Sequence, residues 1–526
     1  MNSMLEAKQP VFASAGRNGR KLWPSLDRQW GWKVVHLILP MAFFVLMLAY
    51  FPFRERFEFD LDEGLNAMKA LLVRSGYPLY SQVWSDQPPL LTYLLAGCFR
   101  LFGANIDAGR ILVLCLSTLL MGCAVQYLRM TWGVWHALAG GVFIILLPFY
   151  PSLSVAIMVG LPSIAFAMLS LLLLEFWHQR RWEGWLILSA LALGLSVLTK
   201  LFTGFLAPIF VIGLLLDERA RQRDSRSWKR MLRPALAWSL VFGAVSAGLG
   251  LILVGPAYLS QLVTTHLFAR QEASFIELTA AQSISWHLRD AWPFLLLGGI
   301  GCIFAALERR WRSFYLLAWA AVAYVLLSFH APVWYHHQFL ITIPAAMLSA
   351  IAAGEVISVI PKAVRSRALV SGRLMLAVLA LAGCAAVVGA RARLTYYSFA
   401  LPAPLIPPEA PTGGHETDFL AGLATYAAHT HWVVTDMPMY AFRAGLLVPP
   451  PLAAITDKRL ASGEATEEQI IQVIEEYQPE QVLLGRFDLP AVEAYLKKDY
   501  RRIYQWGRRR LYLHGELKRS LETDQP

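Results

Sequence analysis

The chain has 526 residues, of which 56% are hydrophobic and only 16% charged, with a mean hydropathy of +0.47. A soluble chain carries roughly a quarter charged residues, so a soluble multidomain enzyme, a disordered scaffold and a coiled coil are excluded and a membrane protein is indicated. The formal net charge of +11 does not call for nucleic acid, because about half of the 47 Lys and Arg fall in short segments between apolar runs on one side, the positive-inside distribution. The five cysteines stand singly in apolar stretches without CxxC spacing and read as small buried hydrophobes.

In chain order, a polar, basic segment over 1–33 precedes an apolar run at 34–51. No small-residue cleavage site follows that run, so it reads as a retained first span. A hydrocarbon core of ~30 Å needs about 20 apolar helical residues. That rule predicts eleven spans, near 34–51, 106–128, 134–149, 155–176, 185–199, 202–216, 234–254, 292–307, 314–329, 339–359 and 374–390. Arg180 and Arg181, the run from Arg219 to Arg233, Arg309, Arg310 and Arg312, and the run from Lys362 to Arg373 then share one side with the N-terminus. That side reads as cytoplasmic, and eleven spans place the C-terminal region on the exoplasmic side. The stretch 184–216 would run ~50 Å as one helix, too long for a single crossing. Two short spans hinged at Thr199 and Lys200 fit better, with the lysine at the outer surface or in a shallow recess. At mid-bilayer it would cost about 2.5–3.5 kcal/mol.

Three outer loops are informative: 52–105, with amphipathic helical pieces at 65–73 and 90–102, then 255–291, and the short aromatic loop 330–338. A Pro-rich hinge over 394–415 leads to a stretch of ordinary composition, 416–526. There, amphipathic helices at 417–428, 467–477 and 489–498 alternate with short apolar strands at 432–435, 481–484, 502–505 and 510–514. The fold class expected is mainly α, a polytopic helical membrane protein with a small exoplasmic C-terminal α/β domain. The chain has no phosphate loop, nucleophile elbow, internal repeat or pair of discontinuous helices of the inverted-repeat transporter kind.

Chemistry concentrates in the first outer loop, which begins with Asp60, Asp62, Glu63 and Gly64 and runs through Tyr77, Tyr80 and Trp84 to Asp86, Gln87, Pro88 and Pro89. Clustered acids raise one another's pKa, which suits a general base acting on a hydroxyl, and the same acids also suit a solvated loop.

The order of basic N-terminus, one span, the segment DEGLNAMKALLVRSGYPLYSQVWSDQPPLLTYLLAGCFRLFG and then many spans resembles the GT-C superfamily. More narrowly, it is similar to polyprenyl-phosphate-sugar-dependent glycosyltransferases of the protein O-mannosyltransferase and aminoarabinose-transferase type. The resemblance extends to GLSVLTK at 194–200, to PVWYHHQFLITIP at 332–344 and to the tail beginning near Val433.

It implies that Asp62 is the general base on the acceptor hydroxyl and that Asp86 is the second acid, contributing to a divalent metal site or orienting the acceptor. His266 would stand near that metal, with Arg270 and Lys200 reaching the donor phosphate. Glu63, Tyr77, Tyr80, Trp84, His336 and His337 are expected to contact substrate. The residues leave alternatives open. Lys200 suits snorkelling to the interface. His266 and Arg270 suit a solvated helix face, the aromatic loop suits an interfacial belt, and the two tyrosines with Trp84 suit packing of the loop onto the bilayer. Two departures bear on the metal and the phosphate clamp: the segment Met158 to Ser163 has no acid, and Gln87 stands where a lysine is frequent.

The expected activity is therefore inverting transfer of a sugar from a polyprenyl-phosphate donor to a glycan, lipid or protein acceptor at the outer face. No nucleotide cofactor or nucleic acid takes part, and the expected location is a bacterial inner membrane. The competing classes are a lipid-linked-sugar transporter or flippase, a non-catalytic scaffold of a glycan-assembly complex, and, among enzymes, a ligase or polymerase acting on an oligosaccharide-lipid.

Overall fold

The computed structural model describes residues 38–221, 228–259, 261–263, 279–366, 372–400 and 415–517. The helices in chain order are α1 (Leu39–Tyr50), α2 (Leu61–Arg74), α3 (Leu90–Phe102), α4 (Ile106–Thr131), α5 (Val134–Ile145), α6 (Gly160–Arg180) and α7 (Glu183–Thr199). They continue with α8 (Leu206–Arg221), α9 (Trp228–Gly243, prolonged to Val254), α10 (Ala280–Leu288), α11 (Trp292–Leu307), α12 (Phe314–Ser328), α13 (Phe339–Ser366) and α14 (Gly372–Ala400). Each of the eleven expected spans coincides with a helix. Eight are long and apolar enough to cross a membrane, while α1 and α5 have 12 residues each and α7 has 17. At 1.5 Å per residue, 12 residues rise only ~18 Å, so α1 and α5 lie short of a full hydrocarbon thickness.

The helices alternate in direction, so loops fall at two ends. At one end Arg181 pairs with Asp217 and Glu218, both at 2.5 Å, and Arg312 pairs with Glu175 at 2.9 Å. These pairs tie α6, α8 and the turn before α12 together at the end rich in basic loops. The break between α7 and the turn Leu201–Phe205 falls at the opposite end, with Lys200 in an extended conformation between them (φ −154°, ψ 122°).

Loop 52–105 also lies at this second end. Asp60 caps α2 by accepting from the Asp62 backbone N–H at 2.9 Å, with Asp62 and Glu63 in the first turn and Arg74 in the last, matching the helix dipole at both ends. Gly103, at φ 84°, ends α3, and the Asn105 side chain caps α4 by accepting from the Ala108 N–H at 2.7 Å.

The C-terminal region forms a four-stranded sheet of order β1-β2-β4-β3, from β1 (Val433–Thr435), β2 (Gln481–Leu484), β3 (Tyr500–Trp506) and β4 (Arg509–His514). β1 and β2 run parallel, with Val433 opposite Gln481, and the other pairs are antiparallel. The helices there are α15 (His415–Thr425), α16 (Pro438–Arg443), α17 (Glu467–Tyr477) and α18 (Pro490–Asp499). The α/β alternation read from the sequence is thus present, and residues 401–414 of the expected hinge lie outside the described residues.

This sheet and the first loop share one hydrophobic core. Met68, Leu72, Leu95 and Phe99 are buried together with Met439, Phe442, Val482 and Leu511. Two contacts set the spacing: Phe57 meets Tyr440 at 4.5 Å, and Arg443 donates to the Phe57 carbonyl at 2.6 Å. Gly64 marks the closest approach, since a Cβ there would lie 2.6 Å from the Met439 backbone nitrogen. A mid-helix glycine costs about 1 kcal/mol against alanine, and here the crossing of α16 over α2 requires it. Gly64→Val is therefore expected to loosen the C-terminal domain, at about 1–3 kcal/mol of overpacking. Faster amide exchange over residues 433–443, with α6 and α13 unchanged, is the result to look for.

Candidate active site

The helical period places Asp62, Leu65, Asn66 and Lys69 on one face of α2, and that face lines a cavity of about 840 Å3 at the domain end of the bundle. The opposite face, through Gly64, Ala67, Met68 and Leu71, lies under the C-terminal domain. The other walls come from Asp86 to Pro88, from Lys200 to Phe205, from Leu262 and Val263, from His287, and from the segment Leu326 to His337. The C-terminal domain closes the cavity with Ala454, Thr456, Asp457, Lys458 and Arg486.

Asp62 is half-buried, and its carboxylate has no hydrogen-bond partner among the described residues. Asp86 is 7% exposed and accepts from Gln87 Nε2 at 3.3 Å. Lys69 is 3% exposed; burial lowers its pKa while the charges of Asp86 and Asp62 raise it. Burial, followed by repulsion from Lys458, brings Lys200 down to about 7, against the pull of Asp62 and Asp86. Asp60 accepts from the Tyr335 hydroxyl at 2.7 Å.

Burial, then the charge of Asp62, pushes the Asp60 carboxyl up to about 7 from its ordinary 3.8. Between those two values the folded chain holds a proton that the unfolded chain has released, so stability falls as pH rises through that window. Asp60→Asn is expected to flatten this slope, read as the melting temperature in detergent between about pH 4 and about pH 7.

Of the residues expected at the site, Asp62, Asp86, Lys200, His336 and His337 come together in this cavity. Four others do not line it. Glu63 is fully buried behind α2, paired with Arg110 at 2.8 and 2.7 Å and accepting from the Phe59 and Ile157 N–H groups. A carboxylate so saturated is a structural tie, not a substrate contact. Tyr80 is buried and donates its hydroxyl to the Gln87 carbonyl at 2.8 Å, bracing the turn that carries Asp86. Trp84 donates to Glu464 at 3.0 Å and lies under the Arg459 guanidinium at 4.5 Å. Tyr77 meets Trp432 edge-on at 5.8 Å. Tyr77 and Trp84 thus fasten the first loop to the C-terminal domain, where apolar area is available to them. His266 and Arg270 lie outside the described residues.

The sequence reading assigned no role to Lys69, Lys458 and Arg486. Lys69 was within reach of it, since position i+7 from Asp62 returns to the same helical face. Lys458 and Arg486 are brought in by tertiary folding alone.

A divalent metal would need a set of ligating side chains. Among the described residues no three His, Cys, Asp or Glu side chains are grouped to hold one. Inside the cavity the Lys69 ammonium supplies a positive charge felt by both Asp62 and Asp86. The described residues thus do not form a metal's donor set.

Residues 86–246 match the family model described as dolichyl-phosphate-mannose-protein mannosyltransferase. No curated protein matches the chain. Among solved structures, the fold is similar to ArnT from Cupriavidus metallidurans bound to undecaprenyl phosphate, at 14% identity and TM-score 0.57, covering 92% of this chain and 98% of that one. The apo state of the same protein gives 15% identity, TM-score 0.58, and coverage of 93% and 99%. The apo oligosaccharyltransferase of Archaeoglobus fulgidus is similar at 12% identity and TM-score 0.52, over 88% of this chain and 70% of that one. At such identities the likeness to these structures is one of fold. The chain is thus an integral membrane protein with an ArnT-like fold, and its residues 86–246 are similar to the dolichyl-phosphate-mannose-protein mannosyltransferase family.

Proposed function

We propose that the protein is a membrane glycosyltransferase that moves a sugar from a polyprenyl-phosphate donor to an acceptor hydroxyl within this cavity. The observation that carries the reading is the composition of one space. A carboxylate without a hydrogen-bond partner among the described residues, Asp62, faces the same volume as Lys69, Lys200 and Lys458, and one wall is apolar. On that wall Leu201, Val263 and Leu326 are 44%, 46% and 41% exposed, an accessible apolar surface that suits a prenyl chain. ArnT, the similar structure, carries undecaprenyl phosphate.

In the proposed reaction Asp62 takes the acceptor hydroxyl proton as the oxygen attacks the anomeric carbon. The bond from that carbon to the phosphate oxygen breaks on the opposite face, and the configuration inverts. The electron pair stays on the phosphate, where cationic side chains stabilise the growing charge. Basic loops at the opposite end of the bundle support an exoplasmic site, and the membrane proposed is a bacterial inner one.

A transporter would need a polar path through the bundle. Several polar side chains inside the spans are instead engaged between helices, although Ser117, Ser246, Trp319 and Thr342 are buried there without a hydrogen-bond partner among the described residues. Ser170 donates to the Ser189 carbonyl, Trp238 to the Ser189 hydroxyl, and Ser196 to the Ser163 carbonyl. Proteoliposomes supplied with radiolabelled polyprenyl-phosphate sugars and candidate acceptors test the reading. Label moving into a product is expected; polyprenyl-phosphate sugar crossing the bilayer unchanged would establish transport in its place.

A further inference from the structure

Among the described residues, the C-terminal domain contributes one cation to the cavity that it does not itself neutralise. Asp457 and Arg486 pair at 2.7 Å, and the Asp436 carboxylate holds the Arg486 loop by accepting from the Gly485, Arg486 and Phe487 N–H groups. Lys458, between Asp457 and Arg459, has no hydrogen-bond or ion-pair partner among the described residues. Its backbone is pinned, because Thr456 caps the turn and Arg459 is bonded to the Pro451 and Ala454 carbonyls at 2.7 and 3.0 Å while stacking on Trp84.

Across the cavity, Lys200 is held at the break after α7, its N–H donating to the Ser196 carbonyl at 2.9 Å. Its ammonium also has no acceptor among the described residues. Burial lowers the pKa of Lys200, and repulsion from Lys458 lowers it further. Two like charges presented to one cavity by separate parts of the chain, one buried and one half-buried, form a site that an anion completes.

We infer that Lys458 of the C-terminal domain and Lys200 of the bundle together seat the phosphate of the polyprenyl carrier, so that the C-terminal domain itself holds the leaving group. The inference rests on the proposed donor class and adds to it a role for this domain. The charges of the reaction agree with a two-cation seat. The sugar-bearing phosphodiester carries one negative charge. When its bond to the anomeric carbon breaks, the electron pair remains on the phosphate oxygen and the released monoester carries up to two. The seat therefore favours the transition state and the product over the donor, which is where binding energy accelerates a reaction.

Binding of undecaprenyl phosphate, undecaprenol and inorganic phosphate to the full-length protein in nanodiscs tests this, with wild type, Lys458→Met, Lys458→Arg and Lys200→Met compared. A hydrogen bond to a charged group contributes ~1.5–3 kcal/mol, so Lys458→Met is expected to weaken undecaprenyl phosphate binding roughly 10- to 100-fold. Undecaprenol binding should be unchanged, Lys458→Arg should restore most of the affinity, and kcat should fall more than KM rises. Unchanged affinity in Lys458→Met, or an equal loss for undecaprenol, overturns the seat. Loss confined to inorganic phosphate assigns the pair to a free or acceptor-borne anion and overturns the donor assignment. Asp62-dependent transfer that Lys458→Met leaves intact removes the lysine pair alone. Lys458-dependent lipid-phosphate binding without any transfer by wild type removes the transferase alone.

Discussion

Asp62→Asn is expected to lower sugar transfer by about 10²–10⁴-fold, the usual contribution of a positioned general base, while leaving the protein folded. The substitution keeps the shape of the side chain and removes only its capacity to take a proton. Because the Asp62 carboxylate has no protein partner among the described residues, the change should orphan no buried donor, and the Asp60 cap on the Asp62 backbone N–H remains. The melting temperature and undecaprenyl phosphate binding should therefore match wild type, and the loss should appear in kcat. Asp86→Asn, nearly buried beside Gln87 and acting on Lys69, should lower both binding and rate. Initial rates of label transfer at equal amounts of purified protein decide the matter. If Asp62→Asn stays within about threefold of wild type, well short of a base's contribution, another group is the base.

Where local chemistry decides structure, the sequence was readable. Helix α17 and strand β2 fall at the expected positions because Thr466 and Gln469 form a capping box before an amphipathic run, and the apolar run Val482 to Leu484 follows. The break at Lys200 followed from length alone. The six-residue helix Pro438–Arg443 went unread, since nothing in so short a segment announces that it will cross α2 at Gly64. The same limit applies within the site. Asp62 and Asp86 stand in one loop and could be read together, whereas Lys458 and Arg486 reach the cavity only through a sheet whose order is a tertiary fact. Among adjacent acids, sequence could not separate roles. Asp60 turns to Tyr335, Asp62 faces the open cavity, and Glu63 points the other way, because successive residues on a helix diverge by about 100°.

That divergence carries the second large effect. Glu63 and Arg110 are each fully buried, bonded to each other through two contacts. Arg110 also donates to the Phe53, Arg56 and Phe57 carbonyls, joining α4 to the start of the first loop. Removing one partner of a buried pair leaves a charge without compensation, at about 3–5 kcal/mol. Glu63→Gln is therefore expected to lower the melting temperature markedly and to reduce the yield of folded protein. Arg110→Met should do so further, since three carbonyls lose their donor along with the carboxylate. The two neighbouring acids then separate by kind of defect. Asp62→Asn should be folded and inactive, whereas the fraction of Glu63→Gln that remains folded should keep close to wild-type kcat. A stable Glu63→Gln protein with lost activity would reverse that assignment and return Glu63 to the substrate side of the helix.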